Sequence, residues 1–109
     1  MPATYATPEE LACEDGAMNS VSVTGQLMCR DDDQVATVVQ HLPRHVQLTR
    51  AEDGCLSFEV RSTENSLIWQ VDEEFQDAEA FRAHQERVAE SEWGKATAEI
   101  ERKYTIEGL

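Results

Sequence analysis

The chain has 109 residues, with 22 Asp and Glu against 9 Lys and Arg, and its formal net charge at pH 7 is −13. This length favours one domain, and a hydrophobic content of 40% is sufficient for a folded core. The excess of negative charge repels phosphate backbones and anionic lipids, which excludes nonspecific binding to nucleic acid or to a membrane surface. Its apolar runs are far too short to span a bilayer.

The N-terminal segment differs in composition from the rest of the chain. Residues 1–18 contain four acidic residues, no basic residue and no sustained periodicity, which predicts a flexible acidic tail before a single domain over 19–109. The tail has neither the basic start nor the apolar stretch of a secretory signal. Cys13, Cys29 and Cys55 are odd in number and form no CxxC pair, which favours reduced thiols and a cytoplasmic location.

The first half of the domain is predicted to contain a strand and a helix. Alternating residues over 20–29 are typical of a half-buried strand. Asp31 to Asp33 then supply an N-cap and favourable negative charge for a helix start. The helix itself follows from mostly apolar side chains at helical spacing, namely Val35, Val38, Val39, Leu42, Val46 and Thr49. His45 flanks this stripe and is predicted to lie at its solvent edge.

The second half begins at a glycine. Gly54 tolerates positive φ and is predicted to reverse the chain from the helix into a strand over 55–61, with a third strand over 66–75. Asp77 is predicted to cap a second helix, and its apolar stripe consists of Ala80, Phe81, His84 and Val88. Ser91 caps a short helix that contains Trp93 and ends near Glu99, before a fourth strand over 102–106.

The order β-α-β-β-α-β predicts an α+β, ferredoxin-like fold. In this fold a four-stranded antiparallel sheet carries both helices on one face. The chain is too short to cover the other face, where strand alternation places Ile68 among polar residues. We therefore predict a homodimer that forms through the open sheet face.

The chain resembles a known family in two stretches, LTRAEDGCLSFEV and WQVDEEFQDAEAFRAHQERVAESEW. The family is the antibiotic biosynthesis monooxygenase domain, the quinol-monooxygenase-like group, and the resemblance covers about residues 20–107. The shared pattern is an E-x-G-C turn, a strand that ends in an acid and an aromatic residue, and D-x-x-A-F-x-x-H, here Glu52, Gly54, Cys55, Glu73, Phe75, Asp77, Ala80, Phe81 and His84. The resemblance implies a dimeric α+β barrel in which each subunit binds a ligand between its sheet and its helices.

Two titratable residues are candidate catalytic groups. His84 lies on the apolar stripe of the second helix, and the family pattern favours a proton acceptor that faces the pocket; the alternative is a core histidine bonded to a neighbour. Glu73 shares a strand face with apolar side chains, so its carboxyl must either be paired or have a raised pKa. The structural alternative for Glu73 is pairing with Arg50 or with a backbone amide.

Five aromatic residues are candidate substrate contacts: Trp69, Phe58, Phe75, Phe81 and Trp93. Trp69 and Phe58 are suited to stacking on a flat ring, and Trp93 to closing one end of the pocket. The alternative is that these rings simply belong to the core, as buried aromatic residues usually do.

The predicted function is a monooxygenase that oxidises an electron-rich quinol or polycyclic phenol with O2 and needs no cofactor. The three histidines match no zinc spacing, so no metal is predicted. Haem-degrading relatives carry an asparagine on the first strand and an axial histidine late in or after the second helix. Here the first strand offers Thr24 and Gly25, and no histidine follows His84. The remaining alternative is a non-catalytic dimeric module that binds a small aromatic molecule or regulates a partner.

Overall fold

The computed structural model describes residues 20–109, and the predicted tail over 1–18 lies outside this range. The elements in chain order are β1 (Val21–Met28), α1 (Asp32–Arg50), β2 (Cys55–Ser62), β3 (Ile68–Phe75), α2 (Ala78–Glu90), α3 (Glu92–Ala96) and β4 (Glu101–Glu107). This is the predicted order, with the short helix α3 following α2. The third strand begins two residues later than predicted, and α3 ends before Glu99.

The four strands form one antiparallel sheet in the order β2-β3-β1-β4. This is the predicted ferredoxin-like arrangement, in which the two central strands are not consecutive in sequence. In the register, Val23 on β1 lies opposite Glu73 on β3 and Ile106 on β4. Side chains of opposed residues point to the same face, so Glu73 shares a sheet face with the buried Val23.

The helices pack on that same face. Val38 from α1 and Trp93 from α3 join one core cluster with Leu27 of β1, whereas Phe81 from α2 joins a second cluster with Phe75 of β3. Each long helix starts at an aspartate. Asp31 accepts from the backbone N–H of Gln34 at 2.9 Å, and Asp77 accepts from that of Ala80 at 2.8 Å, as their sequence positions predict.

The backbone and the neighbouring side chain both require a glycine at position 54. Its φ is +87°, a conformation that residues with a Cβ rarely adopt, and a Cβ there would lie only 2.6 Å from that of Ala80. The Gly54 carbonyl accepts from the N–H of Gln76 at 2.8 Å, which fixes the turn against the junction of β3 and α2. The predicted role of this glycine is confirmed.

The buried stripe of α1 differs from the predicted one. Its buried residues are Gln34, Val38, His45 and Thr49, whereas Val39 is 57% exposed. The placement of His45 at the solvent edge was wrong, because its ring is 4% exposed and stacks on Trp93 with centroids 4.6 Å apart and planes within 5°. A polar ring at this position is buried because α3 supplies an aromatic surface for it.

The sheet face opposite the helices is mainly polar. Thr24 donates to Asp72 at 2.7 Å, and Arg61 bridges Asp72 at 3.1 Å and Glu59 at 2.7 Å. These residues come from three neighbouring strands and form one connected network. We refer to this surface as the open face.

The edge strand β2 has two irregular features. Its pairing with β3 shifts register between Cys55 and Ser57. Arg50, at the end of α1, donates from Nε at 3.1 Å and from Nη2 at 2.9 Å to the carbonyl oxygen of Phe58. The guanidinium thus links the helix to the edge of the sheet.

Candidate active site

A cavity of about 430 Å³ lies between the helix-facing side of the sheet and α2 with α3. Its polar lining consists of Glu73, His84, Arg102 and Tyr104, with Gln85 at the α2 wall. The apolar lining is larger and includes Val23, Phe81, Val88, Trp93 and Ile106. A mostly apolar cavity with a few converging polar groups is the usual form of a small-molecule site.

His84 is held in one orientation by a carboxylate behind it. Its ring is 6% exposed, and Nδ1 lies 2.8 Å from Oε1 of Glu52. Glu52 is ion-paired through Oε2 with Nε of Arg87, so it is an ionised acceptor. The proton of the neutral imidazole therefore resides on Nδ1, which leaves the lone pair of Nε2 available as a base.

Arg87 anchors this arrangement to α1. Its Nη2 donates to Oγ1 of Thr49 at 2.9 Å, while Nε holds Glu52. Thr49 is fully buried, and the Glu52 side chain is 17% exposed. These side-chain contacts form a connected series from Thr49 through Arg87 and Glu52 to His84. Its members come from the end of α1, the following turn and α2.

Glu73 faces His84 from β3. Its side chain is 10% exposed, and its Oε1 lies 3.8 Å from Nε2 of His84, which is close but too long for a hydrogen bond. Arg50, considered as a pairing partner for Glu73, instead donates to the carbonyl of Phe58.

Burial shifts the pKa values of Glu73 and His84 in opposite directions. Burial, with a smaller contribution from the nearby Glu52 and an opposing one from Arg102, raises the pKa of Glu73 to about 7. Burial also lowers the pKa of His84, although the hydrogen bond and the charge of Glu52 act against that change. The pKa of the carboxyl thus moves up and that of the imidazole moves down, although their ordinary values differ by about two units in the opposite order.

The five aromatic candidates separate into three groups. Phe81 and Trp93 line the cavity directly. Phe75 and Phe58 lie next to His84, with ring centroids 4.8 Å and 6.1 Å from the imidazole. Trp69 is half-buried against the cluster of Leu27, Val71 and Trp93, and it is not part of the cavity lining.

Tyr104 and Arg102 were not selected from the sequence. Burial raises the pKa of Tyr104 to about 12, so its hydroxyl remains a proton donor. Arg102 donates to the carbonyls of Thr97 at 2.8 Å and Ile100 at 3.0 Å, which holds its charge at the cavity wall. The two residues are two positions apart on β4 and therefore lie on the same sheet face. This spacing is the feature of the sequence that could have identified them.

The model of the family described as "Antibiotic biosynthesis monooxygenase" matches residues 21–96. The chain belongs to this family. The match spans β1 to α3, so it includes the Gly54 turn, Glu52, Glu73 and His84.

Solved structures agree with the family fold. A candidate antibiotic biosynthesis monooxygenase from Nitrosomonas europaea shares 16% identity over 84% of this chain and 91% of its own, with a TM-score of 0.71. A second candidate, from Deinococcus radiodurans, shares 23% identity over 82% of this chain and 91% of its own, with a TM-score of 0.66. A conserved protein from Methanosarcina mazei shares 20% identity over 84% and 93%, with a TM-score of 0.67. The comparison with functionally curated proteins gave no match.

Residues 20–109 contain neither a metal-type cluster of side chains nor a membrane-spanning helix. No group of three or more His, Cys, Asp or Glu side chains in this range is arranged to hold a metal ion. Within the same range, no helix combines the length and the apolar character needed to cross a membrane.

Proposed function

We propose that this family member is a cofactor-independent monooxygenase that oxidises an electron-rich quinol or polycyclic phenol with O2. The observation that carries the proposal is the imidazole of His84, held by Glu52 at 2.8 Å, at the wall of a cavity that also contains Glu73. Phe81 and Trp93 supply flat apolar surface for a ring. The pairing of a base with a ring-binding surface suits a phenol that must lose a proton.

In the proposed first step, Nε2 of His84 accepts the phenolic proton. The resulting imidazolium is stabilised by the carboxylate of Glu52, which already bonds Nδ1–H. Glu73, with its pKa raised to about 7, is suited to receive that proton or to return it later. Tyr104 lines the same cavity, and in this proposal its hydroxyl donates to a substrate oxygen.

The phenolate itself is the reductant in the proposed second step. It transfers one electron to O2, and the phenoxyl radical and superoxide then form a C–O bond at a ring carbon that bears hydrogen. The resulting peroxide anion takes back the proton held on His84 or Glu73 and becomes a hydroperoxide. Loss of water from that carbon leaves a new carbonyl, so one oxygen atom enters the product and the other leaves as water. The protein's part is to bind the ring, take the proton and exclude solvent from the apolar cavity.

Oxygen uptake with menadiol and with an anthrone tests this function. We expect consumption of O2 above the rate of autoxidation, with one labelled oxygen atom from ¹⁸O2 in the product. Saturable binding of these compounds without uptake above autoxidation would instead support the non-catalytic binding module.

A homodimer through the open face is part of the proposal. The register places Met28 opposite Ile68 there, next to the Thr24–Asp72–Arg61 network, so apolar contacts and paired charges are both available to a second copy. Sedimentation at micromolar concentration should give twice the chain mass of 12.3 kDa.

Two lysine substitutions locate the interface. Ile68→Lys adds a charge to the apolar part of the proposed contact and should produce the monomer. Val39→Lys adds the same charge on the outer side of α1, where the residue is already 57% exposed, and should leave the dimer intact. A wild-type protein that sediments at 12.3 kDa would remove the dimer from the proposal.

The cysteines support a cytoplasmic location. Within residues 20–109, Cys29 and Cys55 both carry free thiols, and Cys29 is buried in the core cluster with Leu27 and Val38. Thiols used as small apolar side chains are typical of reducing compartments.

A further inference from the structure

A second cavity, of about 300 Å³, lies between α1 and the junction of α2 with α3. Its lining includes Arg44, Arg87, His41 and His45, and Glu92 is the acidic residue among them. Two guanidinium groups against one carboxylate give this lining a positive balance, which stands out in a chain with a formal net charge of −13. The lining is suited to an anion rather than to a cation.

Two of these residues have buried polar atoms without a partner. His45 is 4% exposed, and its Nδ1 makes no hydrogen bond to any residue of the described range 20–109. Arg87 uses Nε for Glu52 and Nη2 for Thr49, and its buried Nη1 has no partner in the same range. Buried polar groups in native proteins are nearly always hydrogen-bonded. Nη1 of Arg87 can only donate, so it points to a ligand that brings an acceptor, and Nδ1 of His45 can add a second donor when its proton is on that nitrogen.

We propose that this cavity binds the oxyanion group of a small molecule, a carboxylate or a phosphate, and that its occupancy adjusts the active site through Arg87. Guanidinium groups present forked donors that match the oxygen atoms of such ligands, and Arg44 and Arg87 provide two of them. The proposal has a binding half, the presence of an anion in this cavity, and a regulatory half, its effect on the active site. The binding half is argued from the cavity alone, whereas the regulatory half rests on the proposed function.

Two contacts connect the second cavity to the first. Arg87 lines the second cavity and also holds Glu52, which in turn holds His84. Trp93 lines both cavities and stacks on His45 at 4.6 Å. Burial is the main cause of the lowered pKa of His84, and the charge of Arg87 contributes in the same direction. An oxyanion beside Arg87 offsets that contribution and strengthens the base. By linkage, a ligand in the active-site cavity must change the affinity for the anion by the same factor.

Histidine-selective NMR on the full chain tests both halves at constant ionic strength. Inorganic phosphate and benzoate are titrated separately, so that a response to one alone identifies phosphate or carboxylate as the preferred group. We expect saturable shifts of the ring signals of His45 and His84. Arg44→Gln should weaken the affinity at least about tenfold by removing a charged donor. Arg82→Gln, at an exposed position on α2 outside the lining, should leave the affinity unchanged.

The possible results lead to separate conclusions. Absence of saturation with both anions, or equal weakening by Arg44→Gln and Arg82→Gln, would overturn the site. Saturable binding that leaves the His84 signals unmoved would overturn the regulatory half. Failure of the oxygen-uptake assay would count against the monooxygenase proposal and against a catalytic effect of the anion. It would leave anion binding and its coupling to His84 intact, because the NMR titration requires no turnover.

Discussion

Replacing His84 with glutamine is expected to lower turnover by about 10²–10⁴, the usual contribution of a general base. Glutamine retains an N–H that can reach Glu52, so the carboxylate behind it keeps a donor, but the amide has no basic nitrogen to take a proton. The measurement is oxygen uptake per folded molecule, with the melting temperature recorded on the same sample. Binding of the ring should change much less, because Phe81 and Trp93 remain in place.

The pH profile separates a base from a packing residue. Wild-type activity should show a limb that rises with pH below about 6.5, the ordinary histidine value, because burial lowers the pKa of His84. That limb should be lost in His84→Gln. Glu52→Gln keeps a side-chain oxygen that can accept from His84 but removes its negative charge. The rising limb of the pH profile should then lie at lower pH, and activity should fall. A fully active His84→Gln protein with a lowered melting temperature would show that His84 only packs.

The second large effect concerns the stability of the fold and Glu73. Its carboxyl has an ordinary value of 4.5 and a folded-state pKa of about 7, so the folded protein holds this proton more tightly than the unfolded chain. The stabilisation is complete below pH 4.5 and is lost as pH rises through about 7. Glu73→Gln, which cannot ionise, should therefore be more stable than the wild type at about pH 8, by roughly 2–3 kcal/mol.

Urea unfolding at about pH 5 and about pH 8 measures this difference. The two proteins should differ little at the lower pH and clearly at the higher one. His45, whose pKa is lowered by burial to about 3, adds stability that is present above 6.5 and is lost on acidification. Both proteins keep His45, so the difference between them isolates Glu73. Glu74→Gln, on the opposite sheet face, is the matched control, and an equal gain in that variant would refute the assignment.

The alternation of side chains predicted the four strands because each has one face on a single core. Asp77 and Gly54 fixed local boundaries, because an N-cap and a positive φ are requirements of the neighbouring backbone. His45 was misplaced for a physical reason. Periodicity ranks residues by their own polarity, but this imidazole is buried because Trp93 of α3 covers it. No pattern within α1 contains that information.

The candidate site could be predicted only in part, because several of its contacts also join residues from different elements. His84 and Glu73 stand out because each is a titratable group on an apolar stripe. Glu52 occurs in the sequence motif, but its contact with His84 joins positions 32 residues apart and depends on the Gly54 turn. Arg87 follows His84 by less than one helical turn and resembles an ordinary solvated arginine until Thr49 and Glu52 are placed beside it.

The contacts of Arg50 have a consequence for self-association. An edge strand offers unpaired amide and carbonyl groups to any extended chain, which is how sheets grow into fibrils. At the β2 edge the carbonyl of Phe58 already receives two N–H groups from Arg50, and the register shift between Cys55 and Ser57 breaks the regular spacing that an added strand needs. An incoming strand would find an occupied acceptor beside a bulge, and both features disfavour the pairing of a further strand at this edge.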